Sequence, residues 1–187
     1  MAIPKSRCWS AANEVRANAD AVAEFVEVYC APTPRLLEQL AKHALDLALV
    51  STTETDGTTA IIRREPLVWV GNRHDDAASR EPLQLALSDP DTLDHRSACE
   101  RLEAAGRPYR VAYASGAMSG LLAVVRSGQA IAVLTQAAVP ADLQVLPTSD
   151  RLPRLPTVGL TVKFDLPKPP ALVVEFADQL QKIVPAL

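Results

Sequence analysis

The chain has 187 residues, of which 48% are hydrophobic but only 4% aromatic, with 22% charged and a formal net charge of -3. Such aliphatic content at low net charge excludes a disordered chain, and seven scattered glycines exclude a collagen-like fibre. With 19 Lys and Arg against 22 Asp and Glu and no basic run, the chain cannot neutralise many phosphates, so direct nucleic-acid binding by it is disfavoured.

In chain order, the alternation Val26-Glu-Val-Tyr29 predicts a short strand. Leu36, Leu37, Leu40, Ala41 and Ala44 recur at helical spacing, so residues 33–44 read as a helix, with Thr33 placed to cap it and Pro34 in its first turn. Leu45-Asp-Leu-Ala-Leu-Val50 predicts a strand, ended by the polar loop Ser51-Thr-Thr-Glu-Thr-Asp-Gly57. Strand, helix and strand at these lengths make a βαβ unit and imply a parallel sheet. Strands are expected at residues 61–62, 66–71 and 83–87, and a turn at Pro90. Residues 92–105 then read as a helix with Ala98, Leu102 and Ala105 on one face and Gly106 as its stop.

Residues 109–113 predict a further strand, after which Ser115 and Gly116 open a helix with the stripe Met118, Leu121, Leu122 and Val125, closed by Gly128. Ala130-Ile-Ala-Val-Leu134 is apolar throughout, as buried parallel strands are. A segment at 143–146, a proline-rich connector to Pro156 and an alternating strand at 158–164 follow. Pro167, Pro169 and Pro170 introduce the last helix, with Leu172, Phe176 and Leu180 on one face and Val173, Ala177 and Val184 on the next. Two β/α clusters of this size predict two small α/β lobes.

Catalytic signatures are missing from the sequence. There is no G-x-S-x-G elbow, H-E-x-x-H, C-x-x-C, Walker loop or G-x-G-x-x-G. His43, His74 and His95 are each flanked by polar residues and read as solvated surface groups, and Asp75-Asp76 as a charged turn. Cys8, Cys30 and Cys99 are too widely spaced for a disulfide framework or zinc knuckle and are expected to be buried reduced thiols. No apolar run reaches the roughly 18 residues of a membrane span, and Met1 to Cys8 lacks an apolar signal core, so a cytoplasmic location is expected. Two strand-to-helix junctions remain of interest, at Thr33-Pro34 and Ser115-Gly116. A hydroxyl at either can cap a helix or hold a carboxylate or carbonyl, and ligands bind at the carboxyl ends of strands in α/β sheets.

The run Leu36-Leu-Glu-Gln-Leu-Ala-Lys-His-Ala-Leu-Asp-Leu-Ala-Leu-Val50 resembles the "LLxxLxxGxLDLALV" signature of the effector-binding region of LysR-type transcriptional regulators, with His43-Ala44 in place of the usual glycine turn. Arg64-Glu-Pro-Leu-Val-Trp-Val70 resembles their crossover strand, residues 119–134 their helix-glycine-strand segment, and Val139-Pro-Ala-Asp-Leu-Gln-Val-Leu146 their "VPxxLxVL" element. The resemblance covers residues 22–184 and, through Trp69 and residues 83–90, is nearest the flagellar and virulence repressors of the family. It implies an α/β fold like type 2 periplasmic binding proteins, two Rossmann-like lobes joined by two crossover strands. Residues 1–70 with 157–187 would form lobe I, and 71–156 lobe II.

Carried over position by position, it implies effector contacts at Thr33, at Ser51 and Thr52, and at Ser115, Gly116 and Met118. It also implies no catalytic role, no cofactor and no metal, a homodimer or tetramer, and a small-molecule effector such as an organic acid or aromatic metabolite. DNA would be bound only through an N-terminal winged helix-turn-helix that these residues do not include. The family's opening strand and Ser/Thr loop are not evident in residues 1–13. Three alternatives are a secreted solute-binding protein of the same fold, an oligomerisation module with a vestigial cleft, and an α/β enzyme; the last would need a cluster of reactive side chains.

Overall fold

The computed structural model describes residues 27–53, 60–164 and 168–184. Residues 1–13, Cys8, Val26, the loop tip at 54–59 and Pro167, all invoked above, lie outside them.

Helix α1 (Thr33–Ala41) leads to strand β1 (Ala48–Thr52) and then to the ten-residue strand β2 (Arg63–Asn72). A 3-10 turn at Ala77–Ser79, strand β3 (Leu83–Leu87), helix α2 (Leu93–Ala104), strand β4 (Tyr109–Ala114), helix α3 (Met118–Arg126) and strand β5 (Ile131–Thr135) follow. Another 3-10 turn (Gln136–Ala138), the short strand β6 (Leu143–Val145), strand β7 (Thr157–Lys163) and helix α4 (Ala171–Ile183) complete the order.

Strand β2 belongs to two sheets. Arg63 to Pro66 pair antiparallel with Leu160 to Thr157 of β7, whose other edge carries β1. From Leu67 onward β2 pairs instead with β5 and then β6, and β5 continues through β3 to β4. β3 runs parallel to both β4 and β5, as expected for strands joined by crossover helices. The burial of β5, with Ile131 to Leu134 all covered, matches its uninterrupted apolar sequence.

The chain returns from the second sheet beside β2. Leu146 N–H donates to Trp69 O at 2.8 Å, Trp69 Nε1 to Pro153 O at 2.8 Å, and Leu67 N–H to Pro156 O at 3.0 Å. Two antiparallel passages therefore link the sheets, and the fully buried Trp69 pins one to the other. Arg107, only 7% exposed, reinforces the return by donating to the carbonyls of Arg151 and Ala78, and burial lowers its pKa.

Several expectations need correction. Residues 27–29 form no strand, and Val28 and Tyr29 are about half exposed, so the first βαβ unit lacks its opening strand among the described residues. β1 is antiparallel to β7, and the parallel ladder belongs to the second sheet alone. The first helix stops at Ala41, three residues early, in a Schellman turn: His43 takes φ 56, its N–H donates to Leu40 O, and Ala44 N–H reaches Gln39 O at 2.9 Å. Ile61 and Ile62 precede β2 instead of forming their own strand. Gly106 and Gly128 do end α2 and α3 with positive φ. Cys30 is exposed, while Cys99 packs half-buried against the main core.

Candidate functional site

Helix α1 begins at a residue without a capping side chain. Pro32 occupies the cap position, and Thr33, expected to cap, instead turns its hydroxyl toward the end of β1. There Thr33 Oγ1 lies 3.0 Å from Ser51 Oγ and accepts the Ser51 N–H at 3.2 Å, so residues eighteen apart in sequence form one polar group. The two hydroxyls carry two protons and share one mutual bond. One O–H therefore remains to donate outward, which suits an acceptor such as a carboxylate or carbonyl. Thr52, the next residue, gives its hydroxyl to the Thr53 carbonyl at 3.3 Å and does not join the pair.

Ser115 and Gly116 sit where β4 turns toward α3. Ser115 Oγ accepts the Ala117 N–H at 3.1 Å, closing a local turn ahead of the helix, while the cap position itself belongs to Ala117. Gly116 lies where the two halves of the chain approach each other. A side-chain carbon placed on it would stand 2.8 Å from Asp89 Oδ2 and 3.6 Å from Pro32 Cγ. The start of α1, the loop after β3 and the loop after β4 thus converge on one point. Met118, two residues further and the first residue of α3, shares the face of the buried Leu121 and Val125 but is 47% exposed.

The loop after β3 was not singled out by its sequence. Ser88 Oγ donates to Asp94 and lies 2.7 Å from Thr92 Oγ1, Thr92 Oγ1 donates to Asp89 O at 2.7 Å, and His95 Nδ1 is 2.8 Å from Ser88 O. His95 is therefore a loop-fixing residue rather than a solvated one. The signal that would have found this loop is its density of Ser, Thr and Asp immediately after an apolar strand. Elsewhere, Asp75 of the charged turn pairs with Arg80 at 3.1 Å. Among the described residues, no group of three His, Cys, Asp or Glu side chains could hold a metal.

Two sheets sharing a crossover strand, with three loops meeting between them, define a two-lobed α/β domain of the type 2 periplasmic-binding-protein kind. Residues 25–183 match the LysR substrate binding domain, and the chain belongs to that family. It is 56% identical to the HTH-type transcriptional regulator DgdR of Burkholderia cepacia over 163 residues, 87% of this chain and 55% of that protein. The chain thus spans about half the length of this curated relative. The regulatory domain of HypT from Salmonella typhimurium, solved with bromide, superposes with a TM-score of 0.67 at 13% identity, covering 90% of this chain and 89% of the other. The regulatory domain of Synechocystis PCC6803 CcmR, solved with 2-PG, gives 0.64 at 14% identity, covering 81% and 79%.

Proposed function

We propose that this chain is the effector-sensing part of a LysR-type transcriptional regulator, with residues 1–70 and 157–187 as one lobe and 71–156 as the other. A small metabolite, an organic acid or an aromatic compound, sits between the Thr33-Ser51 pair and the Ser115-Gly116 loop. It favours one arrangement of the lobes by its difference in affinity for the two. The observation that carries this reading is the meeting of Pro32, adjacent to the Thr33 hydroxyl, with Gly116.

The arrangement is passed on through a homodimer or tetramer to a separate DNA-binding segment, as the name and length of the 56% identical relative support. The net charge of -3 fits a part that leaves DNA to another domain, working in the cytoplasm. No helix among the described residues is long and apolar enough to cross a membrane. The role is recognition and involves no catalysis.

Thermal-shift screening of organic acids and aromatic metabolites tests this, because a ligand that binds only the native state raises its melting temperature. Ser51→Ala and Ser115→Ala are expected to weaken a hit about tenfold, the effect of losing one hydrogen bond to a charged group, and to cost the unligated protein no more than about 1 kcal/mol for the internal bond each hydroxyl makes. A Ser115→Ala loss seen only without ligand would reduce that residue to a turn former. Light scattering after size exclusion is expected to give a dimer, and a strict monomer at micromolar concentration would contradict the assembly.

A further inference from the structure

Asp89 is half-buried where the three loops converge. The hydroxyls of its loop are engaged, Ser88 with Thr92 and Asp94 and Thr92 with the Asp89 carbonyl, while the loop's other carboxylate, Asp91, is exposed to solvent. The Asp89 carboxylate itself accepts no hydrogen bond and pairs with no cation among the described residues. Gly116 leaves it room, since a Cβ there would stand 2.8 Å from Asp89 Oδ2 and 3.6 Å from Pro32 Cγ. A larger residue at 116 would force the carboxylate to shift from its position.

An unpaired carboxylate that would lose water under a bound ligand is costly to cover unless a cation on that ligand compensates it. A metal ion is a poor match, since among the described residues no group of His, Cys, Asp or Glu side chains supplies the further ligands it needs. An organic ammonium needs only one carboxylate and a few acceptors. Next to Pro32, the Thr33-Ser51 pair offers the opposite polarity, a spare O–H donor.

We propose that Asp89 sets the chemical class of the effector, a small α-amino acid, with its ammonium on Asp89 and its carboxylate on the Thr33-Ser51 side. Gly116 is the second determinant, as the residue that leaves Asp89 its place. This rests on the sensing function proposed above and narrows its ligand from acids in general to acids that also carry an amine.

The test compares L-alanine, L-valine and L-phenylalanine with propionate, isovalerate and 3-phenylpropionate, which lack the amine, and with ethylamine, isobutylamine and phenethylamine, which lack the carboxylate. Thermal shift and calorimetric titration are run on the wild-type chain and on Asp89→Asn and Gly116→Ala. At least one amino acid is expected to bind about tenfold or more tightly than either of its truncated partners. Asp89→Asn should remove that advantage while leaving the unligated melting temperature unchanged, since the carboxylate makes no internal bond. Gly116→Ala should weaken the same amino acid by displacing Asp89.

Acids that bind as well as the amino acids, or an Asp89→Asn protein that binds them as tightly as wild type, would overturn the inference. Acids that bind and gain affinity in Asp89→Asn would overturn it and leave the sensing function standing. A protein that responds to none of these compounds, nor to the wider acid and aromatic screen, would remove both.

Discussion

The two halves of the molecule differ in how deeply they are built. The half carrying β3, β4 and β5 rests on two clusters, one with Trp69, Leu83, Leu85, Leu87, Ile131 and Val133 at its heart, the other with Val70, Ala86, Leu121 and Val125, nearly all fully buried. The half carrying α1, β1, β7 and α4 buries, among its described residues, the small cluster Leu40, Ala48 and Val50, with Val158 joined to the larger cluster and Ala177, Leu180 and Val184 covered on α4. Stability is not spread evenly over a structure, and the half with fewer buried apolar contacts opens at lower free energy. On the described residues, the second half is expected to act as a fixed platform and the first as the part whose opening a ligand biases. The candidate site lies between them, with the Thr33-Ser51 pair on the lightly packed side and Asp89 and Gly116 on the firm one.

The largest expected effect comes from the seam. Trp69→Ala removes a fully buried ring and the donor to the Pro153 carbonyl, and should cost about 3 to 5 kcal/mol in denaturant unfolding. A loss below that range would mean that the return strand is held by other contacts.

The halves themselves can be compared by one substitution type. Leu85→Ala, at 0% exposure in the larger cluster, is expected to cost about 4 kcal/mol, and Leu40→Ala, in the small cluster, nearer to about 2 kcal/mol. Hydrogen exchange should show the same order, slowest in β5, which has neighbours on both edges, and faster in β1, which is paired only with β7 among the described strands. Equal protection of β1 and β5 would erase the proposed difference between platform and moving part.

Smaller effects belong to the turn after α1. An αL conformation at His43 is strained for any residue with a Cβ and more so for a β-branched one. His43→Gly should therefore raise stability by up to about 1 kcal/mol, and His43→Val should lower it by about as much, read as opposite shifts in melting temperature. A stabilising valine would show that the Schellman geometry is not what holds this end of the helix.

What the sequence reveals follows the same division. The second half declares itself because its central strands β3 and β5 are buried on both faces and its helices end on glycines: Ile131 to Leu134, Gly106 and Gly128 carry their structural meaning in their identity. In the first half, Val26 to Tyr29 alternates as a strand would, yet residues 27–29 find no partner, because alternation reports capacity to pair and pairing is a tertiary matter. Thr33 was legible as a polar residue at a helix start but not in the bond it makes, since a hydroxyl that suits a cap is equally suited to a bond eighteen residues away. Asp89 was not legible at all. Its distinction is an unpaired carboxylate brought up against Gly116 near Pro32, and no spacing along a chain records that.

The smallest expected effect concerns the edge of the platform, where the Arg126 guanidinium donates two hydrogen bonds to Asp142, Nε at 2.7 Å and an Nη at 3.2 Å, joining the end of α3 to the approach to β6. The hydrogen bond from Arg126 holds the Asp142 carboxyl below its usual range. A carboxylate with a depressed folded-state pKa adds stability above its unfolded pKa, and loses that contribution as pH falls through the folded value. The ion pair should therefore be fully present at neutral pH and vanish in the acid range below about pH 4. Both partners are roughly half exposed, so solvent and salt screening hold the contribution under about 1 kcal/mol. Asp142→Asn should lower stability by that small amount at pH 7, by less in high salt, and by nothing at pH 3. A larger loss at neutral pH would place this contact among the supports of the platform, and the contrast between the two halves would then rest partly on surface charge and not on burial alone.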